Sequence, residues 1–438
     1  MRKIIDALLA AGEMRVVERE VDPCFELAAV VARSQQESDR PILFKRVKGS
    51  RFGVVSNLFG SRPRLGSMIG LEKGGSFYRH WEHLMTQPGQ PLVTVDESAL
   101  PGGLEAVAMS ELPHIHYHEK DAGAYITAGI FLAKDPETAV PNLSFHRCLH
   151  ISDEELRVRL GTSHDLTRYQ AKAEAMDKPL EAAILLGPPP EFALAAAAPI
   201  PPQESELDVV ARLSREPVPM RRCRTIDLEV PLETEVVIEG RILPHVRRPE
   251  APFGEFLGYY VPETNNHVFE ITAVVVRPDA YFHGLVCGSP EDHRLLEVAF
   301  ASQIFQHLNK TCRGIIDVAC VPNVMNVVVK INQQYEGHAR QVLLSAFGVN
   351  HDFTKSCMVV DEDVDINDLN DVYWAFLTRG RVDKRVFTLD VPGFYGGRKP
   401  EDWGRIAIDA TMPLERKHLF ERKRIPGLEA VDLKAYFG

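Results

Sequence analysis

Two glutamates flank a stiff turn in RRPEAPFGEFLGYY, residues 247–260. Glu250 and Glu255 stand on either side of Ala-Pro-Phe-Gly, with Arg247 and Arg248 upstream and Tyr259 and Tyr260 downstream. Pro252 and Gly254 exclude a regular helix, because proline removes a backbone donor and clashes with the preceding turn, and glycine is costly to order. Two carboxylates on a rigid turn suit general acid–base chemistry. The plain alternative is a pair of surface glutamates neutralised by the neighbouring arginines. A paired-carboxylate glycosidase is conceivable, but nothing suggests a sugar cleft lined with aromatics.

A second set of residues is more dispersed. VPNLSFHRC (140–148) holds Asn142 and Arg147, GTSHDL (161–166) holds His164, and ESELDVVARL (204–213) holds Glu206. Asn, His and Glu form an oxygen and nitrogen donor set suited to a divalent ion such as Mn²⁺. Spacing alone does not single them out. HIHYH (114–118) places three histidines on one face of an extended chain. That pattern fits a metal site or a half-exposed strand.

The elements that must carry these residues follow from periodicity. At 438 residues the chain is long enough for two or three domains. Its 45% hydrophobic and 25% charged composition is that of a globular protein. The net charge of −11 argues against nucleic-acid binding, and no apolar run is long enough to cross a membrane. MRKIIDALLAAG imitates a leader peptide, but Asp6 interrupts the apolar run and Ile4, Ile5, Leu8 and Leu9 have helical spacing. An amphipathic helix over 2–11 is therefore expected. Seven cysteines without a C-x-x-C signal neither a disulfide framework nor a zinc knuckle, and a reducing cytoplasm fits.

A second helix is expected through Phe25–Ser34, after Asp22-Pro23. PILFKRV and FGVVSNLF read as strands. So do 124–133, 225–232, 235–243, 267–276 and 281–288, too widely separated for a simple meander. Residues 152–178 carry a charged helical pattern. GPPPEFALAAAAPIPPQ (187–203) reads either as a linker or as a small-residue wall that admits a ligand close to the backbone. Helices over 292–308 and 337–347 and strands over 324–331 and 356–365 follow, and the charged ERKHLFERKR reads as a solvated helix or docking arm.

Together these stretches resemble the UbiD family of reversible decarboxylases, which use prenylated FMN. LPHIHYHEKDAGAYITAGIFLAKDPETAVPNLSFHR contains D-x-G-x-Y-I-T-x-G followed by N-x-x-x-x-R, and PEAPFGEFLGYY carries E-x-P-F-G-E-x-x-G-Y. VVDEDVDINDLNDVYWAFLTR and RIAIDAT are similar to later family segments. The resemblance implies an α/β (α+β) chain in three parts: an N-terminal α/β unit (1–103), a central split β-barrel that binds flavin (104–290) and a C-terminal α/β oligomerisation domain (291–438). It also implies cytoplasmic activity as a homodimer or homohexamer.

The same resemblance implies roles. Arg147, Glu250 and Glu255 would form the catalytic group. Arg147 would steer the substrate carboxylate with its planar fork, Glu250 would hold Arg147, and Glu255 would deliver a proton to the carbon that loses CO₂. Proton delivery calls for a carboxyl group kept protonated, which an apolar pocket favours; Phe253 and Phe256 are placed to dry it. Asn142, His164 and Glu206 would bind Mn²⁺ against the flavin phosphate. Ser144, Phe145, Ser163, Ala196, Ala197, Ala198 and Pro199 would line the cofactor, which favours the wall reading, and Lys355 would either pair with the phosphate or be a solvated lysine. A potassium ion is implied without identifiable ligands, and a separate prenyl-FMN synthase would supply the cofactor.

Three departures from the family pattern stand out: His146 where many relatives have Tyr, Ser163 where relatives often carry Arg, and an almost all-alanine wall. The substrate is expected to be an aromatic, heteroaromatic or α,β-unsaturated acid. Phe256 would face it, and His293 and Arg294 would read a second polar group unless they merely cap the helix after Pro290. Two other readings are a non-catalytic flavin-binding subunit of a multi-subunit carboxylase and a split-barrel flavin reductase. The intact Arg147, Glu250 and Glu255 argue against the first, and the second needs no glutamate pair.

Overall fold

Strand Val236–Glu250 ends on the first of the two glutamates, and the rest of the first unit is arranged around it. Its start is β-branched, which suits a pleated, buried surface. It pairs antiparallel with Thr264–Val276 over most of its length. The register shifts at Gly240, where a Cβ would lie 2.0 Å from the Glu270 carbonyl oxygen; only glycine fits this bulge.

The computed structural model describes residues 1–72, 75–161, 164–198, 200–201, 204–349, 354–390 and 404–437. Ser163 and Pro199, two expected cofactor contacts, lie outside them. The chain forms two units, Met1–Gln306 and a second from His307 onward, with helix Pro290–Thr311 carrying the chain from one to the other. Among the described residues, no helix is long and apolar enough to cross a membrane.

In the first unit a half-barrel sheet runs in the order Tyr125–Ile126, Cys148–His150, Glu155–Val158, Thr264–Val276, Val236–Glu250, Leu180–Leu186, Ile130–Lys134 and Pro141–Phe145, with Glu105–Val107 also pairing to Thr264–Val276. Pro141–Phe145 is one edge, and Cys148–His150 lies beside the other. His146 and Arg147 therefore sit where the chain crosses from edge to edge, which brings Arg147 to the opening of the half-barrel. Side chains alternate between the two faces. Leu180, Ala182, Ile184 and Leu186 enter one core, and Ala183 and Leu185 the other. Helix Asp165–Ala175 packs Leu166, Tyr169 and Ala173 on the first core, and helix Glu206–Leu213 packs Val209, Val210 and Leu213 on the second.

A four-stranded sheet, Arg15–Val21, Ile42–Val47, Gly53–Ser56 and Tyr281–His283, completes the N-terminal part. Its last strand comes from residues past the half-barrel. The second unit has a five-stranded sheet in the order Ile315–Cys320, Asn326–Ile331, Ser356–Asp361, Arg405–Asp409 and Val386–Leu389.

Several expectations change. The expected strand 124–133 is two strands, because Thr127 leaves the ladder to bond the Leu285 carbonyl through its hydroxyl, 2.6 Å away. Within 225–232 only Glu229–Pro231 is strand. The buried Glu239 carboxylate instead draws in the Arg224 and Thr225 N–H groups, each at 2.8 Å. Glu155–Val158 is a strand rather than the start of a helix, since Leu156 and Val158 alternate inward. In the segment that read as linker or wall, Pro190–Ala196 is helical with Phe192 to Ala195 buried, so the segment is not a free linker. ERKHLFERKR contributes to a short 3-10 turn, Leu414–Phe420, and its Arg422 lies over the Trp374 ring, 4.0 Å from the centroid.

Candidate active site

Arg147 joins the two glutamates. Its Nε and Nη2 donate to Glu250 Oε1 and Oε2, both at 3.0 Å, and its Nη1 donates to Glu255 Oε1 at 3.1 Å. The Arg147, Glu250 and Glu255 side chains are 9%, 0% and 11% exposed. Burial alone would pull the guanidinium pKa down, but Glu250 and Glu255 more than offset this and keep it protonated. Asn266 Nδ2 donates a further bond to Glu250 Oε2 at 2.8 Å. Glu250 is thus tied by three donors, whereas Glu255 has one oxygen on Arg147 and the other outside that contact.

The Pro-Phe-Gly turn is fixed on both sides. Phe253 lies under the guanidinium, its ring centre 4.5 Å from Arg147 Cζ, and the Tyr125 ring packs on it at 4.6 Å. The Tyr125 hydroxyl accepts the Ala251 N–H at 3.2 Å; burial first, and Glu250 second, raise its pKa. Asp121 Oδ1 accepts the Gly254 N–H at 2.7 Å, while its Oδ2 accepts the His118 N–H at 3.0 Å. A Cβ on Gly254 would meet His118 Nδ1 at 2.6 Å. Pro252 follows a cis peptide bond.

Near Glu255 lies a second pair, the half-buried Cys287 and Asp292. Asp292 Oδ2 accepts the Gly288 N–H at 2.7 Å. Burial raises the Asp292 pKa to about 6, and burial followed by Asp292 raises that of the Cys287 thiol. Phe256 is buried, and its ring lies 6.3 Å from that of His293. His293 Nδ1 is buried with no hydrogen-bond partner among the described residues; burial first, and Arg294 second, lower its pKa, against a backbone contact with Gly288 that raises it. Arg294 Nη1 is bonded to Glu297 at 2.6 Å, and Arg62 occupies the same carboxylate. Of these two expected substrate contacts, His293 keeps an open nitrogen while Arg294 is engaged with Glu297.

Asn142 and Glu206 are brought into contact, whereas the His164 ring stands beside His146. Asn142 Nδ2 donates to Glu206 Oε1 at 3.0 Å, and the Leu143 N–H donates to Oε2 at 2.8 Å. Glu206 opens its helix after Ser205, whose hydroxyl caps the Leu207 N–H at 3.1 Å. Burial raises the Glu206 pKa to about 7. Ser144 Oγ lies 3.0 Å from Asn142 Oδ1 and 2.9 Å from His146 Nε2. The His146 ring stands 5.0 Å from that of His164, and burial, with His164 second, pushes its pKa well down.

A divalent cation fits this cluster on one observation. Among the described residues the buried Glu206 carboxyl is met by neutral donors only, so an ion of opposite charge would relieve its desolvation. Phe145, Ala196 and Ala198 are half-buried against the same core, and Ala197 is half-buried. Lys355 belongs to the second unit, where its N–H donates to the Met325 carbonyl at 3.0 Å.

The histidines of HIHYH do not converge. His114 packs on His150 at 4.0 Å, His116 on Phe25 at 4.7 Å, and His118 Nδ1 lies 3.2 Å from Asp121 Oδ2. Among the described residues, no three His, Cys, Asp or Glu side chains form a metal-binding group. Tyr125, Asn266, Asp121 and Asp292 escaped the reading of the sequence. Tyr125 and Asp121 stand inside D-x-G-x-Y-I-T-x-G and could have been picked out; nothing local marks Asn266 or Asp292.

Family profiles of the 3-octaprenyl-4-hydroxybenzoate carboxy-lyase N-terminal, Rift-related and C-terminal domains match residues 5–82, 96–290 and 293–410. Anhydromevalonate phosphate decarboxylase of Methanothermobacter thermautotrophicus is 31% identical, over 96% of this chain and 99% of that protein. Among solved structures, the UbiD-class enzyme HmfF from Pelotomaculum thermopropionicum, in complex with FMN, superposes with a TM-score of 0.92 at 32% identity, covering 100% of this chain and 99% of the other. An evolved dimeric form of the same enzyme, in complex with prFMN, gives 0.89 at 31%, with 100% and 99% coverage. Vanillic acid decarboxylase of Sedimentibacter hydroxybenzoicus, in its open form, gives 0.86 at 26%, with 99% and 97% coverage. All three family profiles, in order and spanning most of the chain, place it in the UbiD family of carboxy-lyases.

Proposed function

We propose that the chain catalyses the reversible, non-oxidative decarboxylation of an aromatic, heteroaromatic or α,β-unsaturated carboxylic acid with prenylated FMN. The observation that carries this reading is the buried contact of Arg147 with both Glu250 and Glu255. Side chains are poor electron sinks, and the prenylated flavin, when bound, supplies that capacity. Arg147 attracts and orients the substrate carboxylate. Glu250, tied by Arg147 and Asn266, holds the guanidinium in place. As CO₂ leaves, Glu255 gives a proton to the carbon that carried it, and solvent reprotonates Glu255 for the next turnover. Phe253 and Phe256 keep water from the reacting carbon.

Asn142, His164 and Glu206 are assigned to Mn²⁺ at the cofactor phosphate, with Ser144, Phe145 and Ala196 to Ala198 along the cofactor. His293 is the candidate reader of a second polar group on the substrate, because its Nδ1 is buried and open. The relatives are named for different acids, anhydromevalonate phosphate and vanillic acid, so kinship alone does not choose one. Potassium, a separate prenyl-FMN synthase and self-association belong to the same reading.

The test is a CO₂-release screen over the three acid classes. The chain is co-produced with a prenyl-FMN synthase and assayed anaerobically with Mn²⁺ and K⁺. Release from a subset of acids is expected. A protein that holds prenylated flavin yet releases CO₂ from none of them would contradict the catalytic reading.

A further inference from the structure

We infer that His146 is a positioning residue that draws the Ser144 proton away from Asn142 and so leaves Asn142 Oδ1 open toward a divalent cation. The inference rests on the proposed assignment of Asn142, His164 and Glu206 as ligands.

The direction of each hydrogen bond decides the matter. His146 is buried, 4% exposed, and its Nδ1 lies 3.2 Å from the Arg159 carbonyl oxygen. A carbonyl only accepts, so Nδ1 carries the hydrogen. Among the described residues no carboxylate bonds this ring, and an unpaired imidazolium in such a place is costly. The ring is therefore neutral, and Nε2 presents a lone pair. Ser144 Oγ lies 2.9 Å from that lone pair and must donate to it.

Serine has one hydroxyl proton. Asn142 Oδ1, 3.0 Å from the same Oγ, therefore receives none from Ser144 while His146 holds it. The Asn142 amide cannot simply turn over, because its Nδ2 donates to Glu206 Oε1 at 3.0 Å. Two oxygens, Asn142 Oδ1 and Ser144 Oγ, thus face each other with no proton between them, beside a buried carboxylate. A cation relieves that arrangement; water or a proton from Ser144 would compete with it. His146 is itself held by its N–H on the Gly129 carbonyl at 3.1 Å and by the Phe131 ring edge-on at 5.4 Å.

Removing the ring nitrogens frees the Ser144 hydroxyl to turn onto Asn142 Oδ1. His146→Phe does this with little change in volume. His146→Gln keeps an acceptor. The double variant Ser144→Ala, His146→Phe removes the competing proton, so a defect caused by that proton must disappear in it. A merely structural role for His146 would leave the double variant at least as impaired as the single.

The experiment is a Mn²⁺ titration of the flavin-loaded, chelator-treated full chain, with free Mn²⁺ read by its paramagnetic resonance signal and folding checked by thermal melts. His146→Phe is expected to weaken Mn²⁺ binding about tenfold, the scale of one hydrogen bond. His146→Gln should stay near wild type, and the double variant should return to within about threefold of it. Wild-type binding in His146→Phe, or a double variant as weak as the single, overturns the inference. Wild-type protein that takes up no Mn²⁺ overturns the ligand assignment beneath it.

Discussion

Arg147 and Glu250 meet edge to edge, Nε on Oε1 and Nη2 on Oε2, both at 3.0 Å. The contact is buried, so it cannot be valued as a surface ion pair. Removing one partner strands the other charge. Arg147→Met is therefore expected to destabilise the protein by about 3–5 kcal/mol, read by denaturant unfolding. A loss well under 1 kcal/mol would mean that Glu250 finds another partner or takes up a proton without strain.

Arg147→Lys separates charge from shape. An ammonium can reach one carboxylate but cannot span Glu250 in two parallel bonds and Glu255 with a third donor. Misplacement on the order of 1 Å costs about 100-fold in rate. A fall of that size in kcat/KM, with flavin content unchanged, is expected; activity near wild type would show that charge alone suffices.

Gly254 carries a test of the turn. An added Cβ would press on His118, whose backbone N–H shares Asp121 with the Gly254 N–H. Gly254→Ala should displace Glu255 relative to Arg147 and lower kcat roughly 10- to 100-fold. Steady-state kinetics on holoenzyme matched for flavin content will show it, and an unchanged kcat would mean that His118 yields without disturbing the glutamate.

How much of this was legible in the sequence depends on distance along the chain. The stiff turn between Glu250 and Glu255 is local, so residue types alone suggested acid–base chemistry. That Arg147 lies between them is a property of the sheet: residues 146 and 147 cross from one edge of the half-barrel to the other, and no spacing encodes that. Asn266 reaches Glu250 only because Thr264–Val276 pairs with Val236–Glu250 in that register. The strand expected over 225–232 failed because Glu239, a buried acidic side chain on a neighbouring strand, captured the backbone that a ladder would have used. Patterns of apolar residues do not report such captures.

Asp292 makes the stability depend on pH. Burial holds its carboxyl at about 6, against 3.8 for the free group. Because the pKa is higher in the folded state, the group's contribution is fully present below 3.8 and is lost as pH rises through about 6. Above that range its burial opposes folding. Asp292→Asn should thus change little at pH near 4 and stabilise at pH near 8, by on the order of 2 kcal/mol. Denaturant unfolding at both pH values tests this; an equal effect at both would rule out a protonation origin.

The central claim is that Glu255 delivers the proton that replaces CO₂. The most direct measurement is the turnover of Glu255→Gln beside wild type, both loaded with prenylated flavin and run in D₂O on an acid that the wild type accepts. Glutamine keeps a donor-acceptor head of similar size but has no acidic proton. The account predicts deuterium at the former carboxyl-bearing carbon in the wild type, and in the variant a loss of turnover of about 1,000-fold or more, within the range of general-acid effects. Product formed by the variant at a rate close to wild type would contradict the assignment of Glu255.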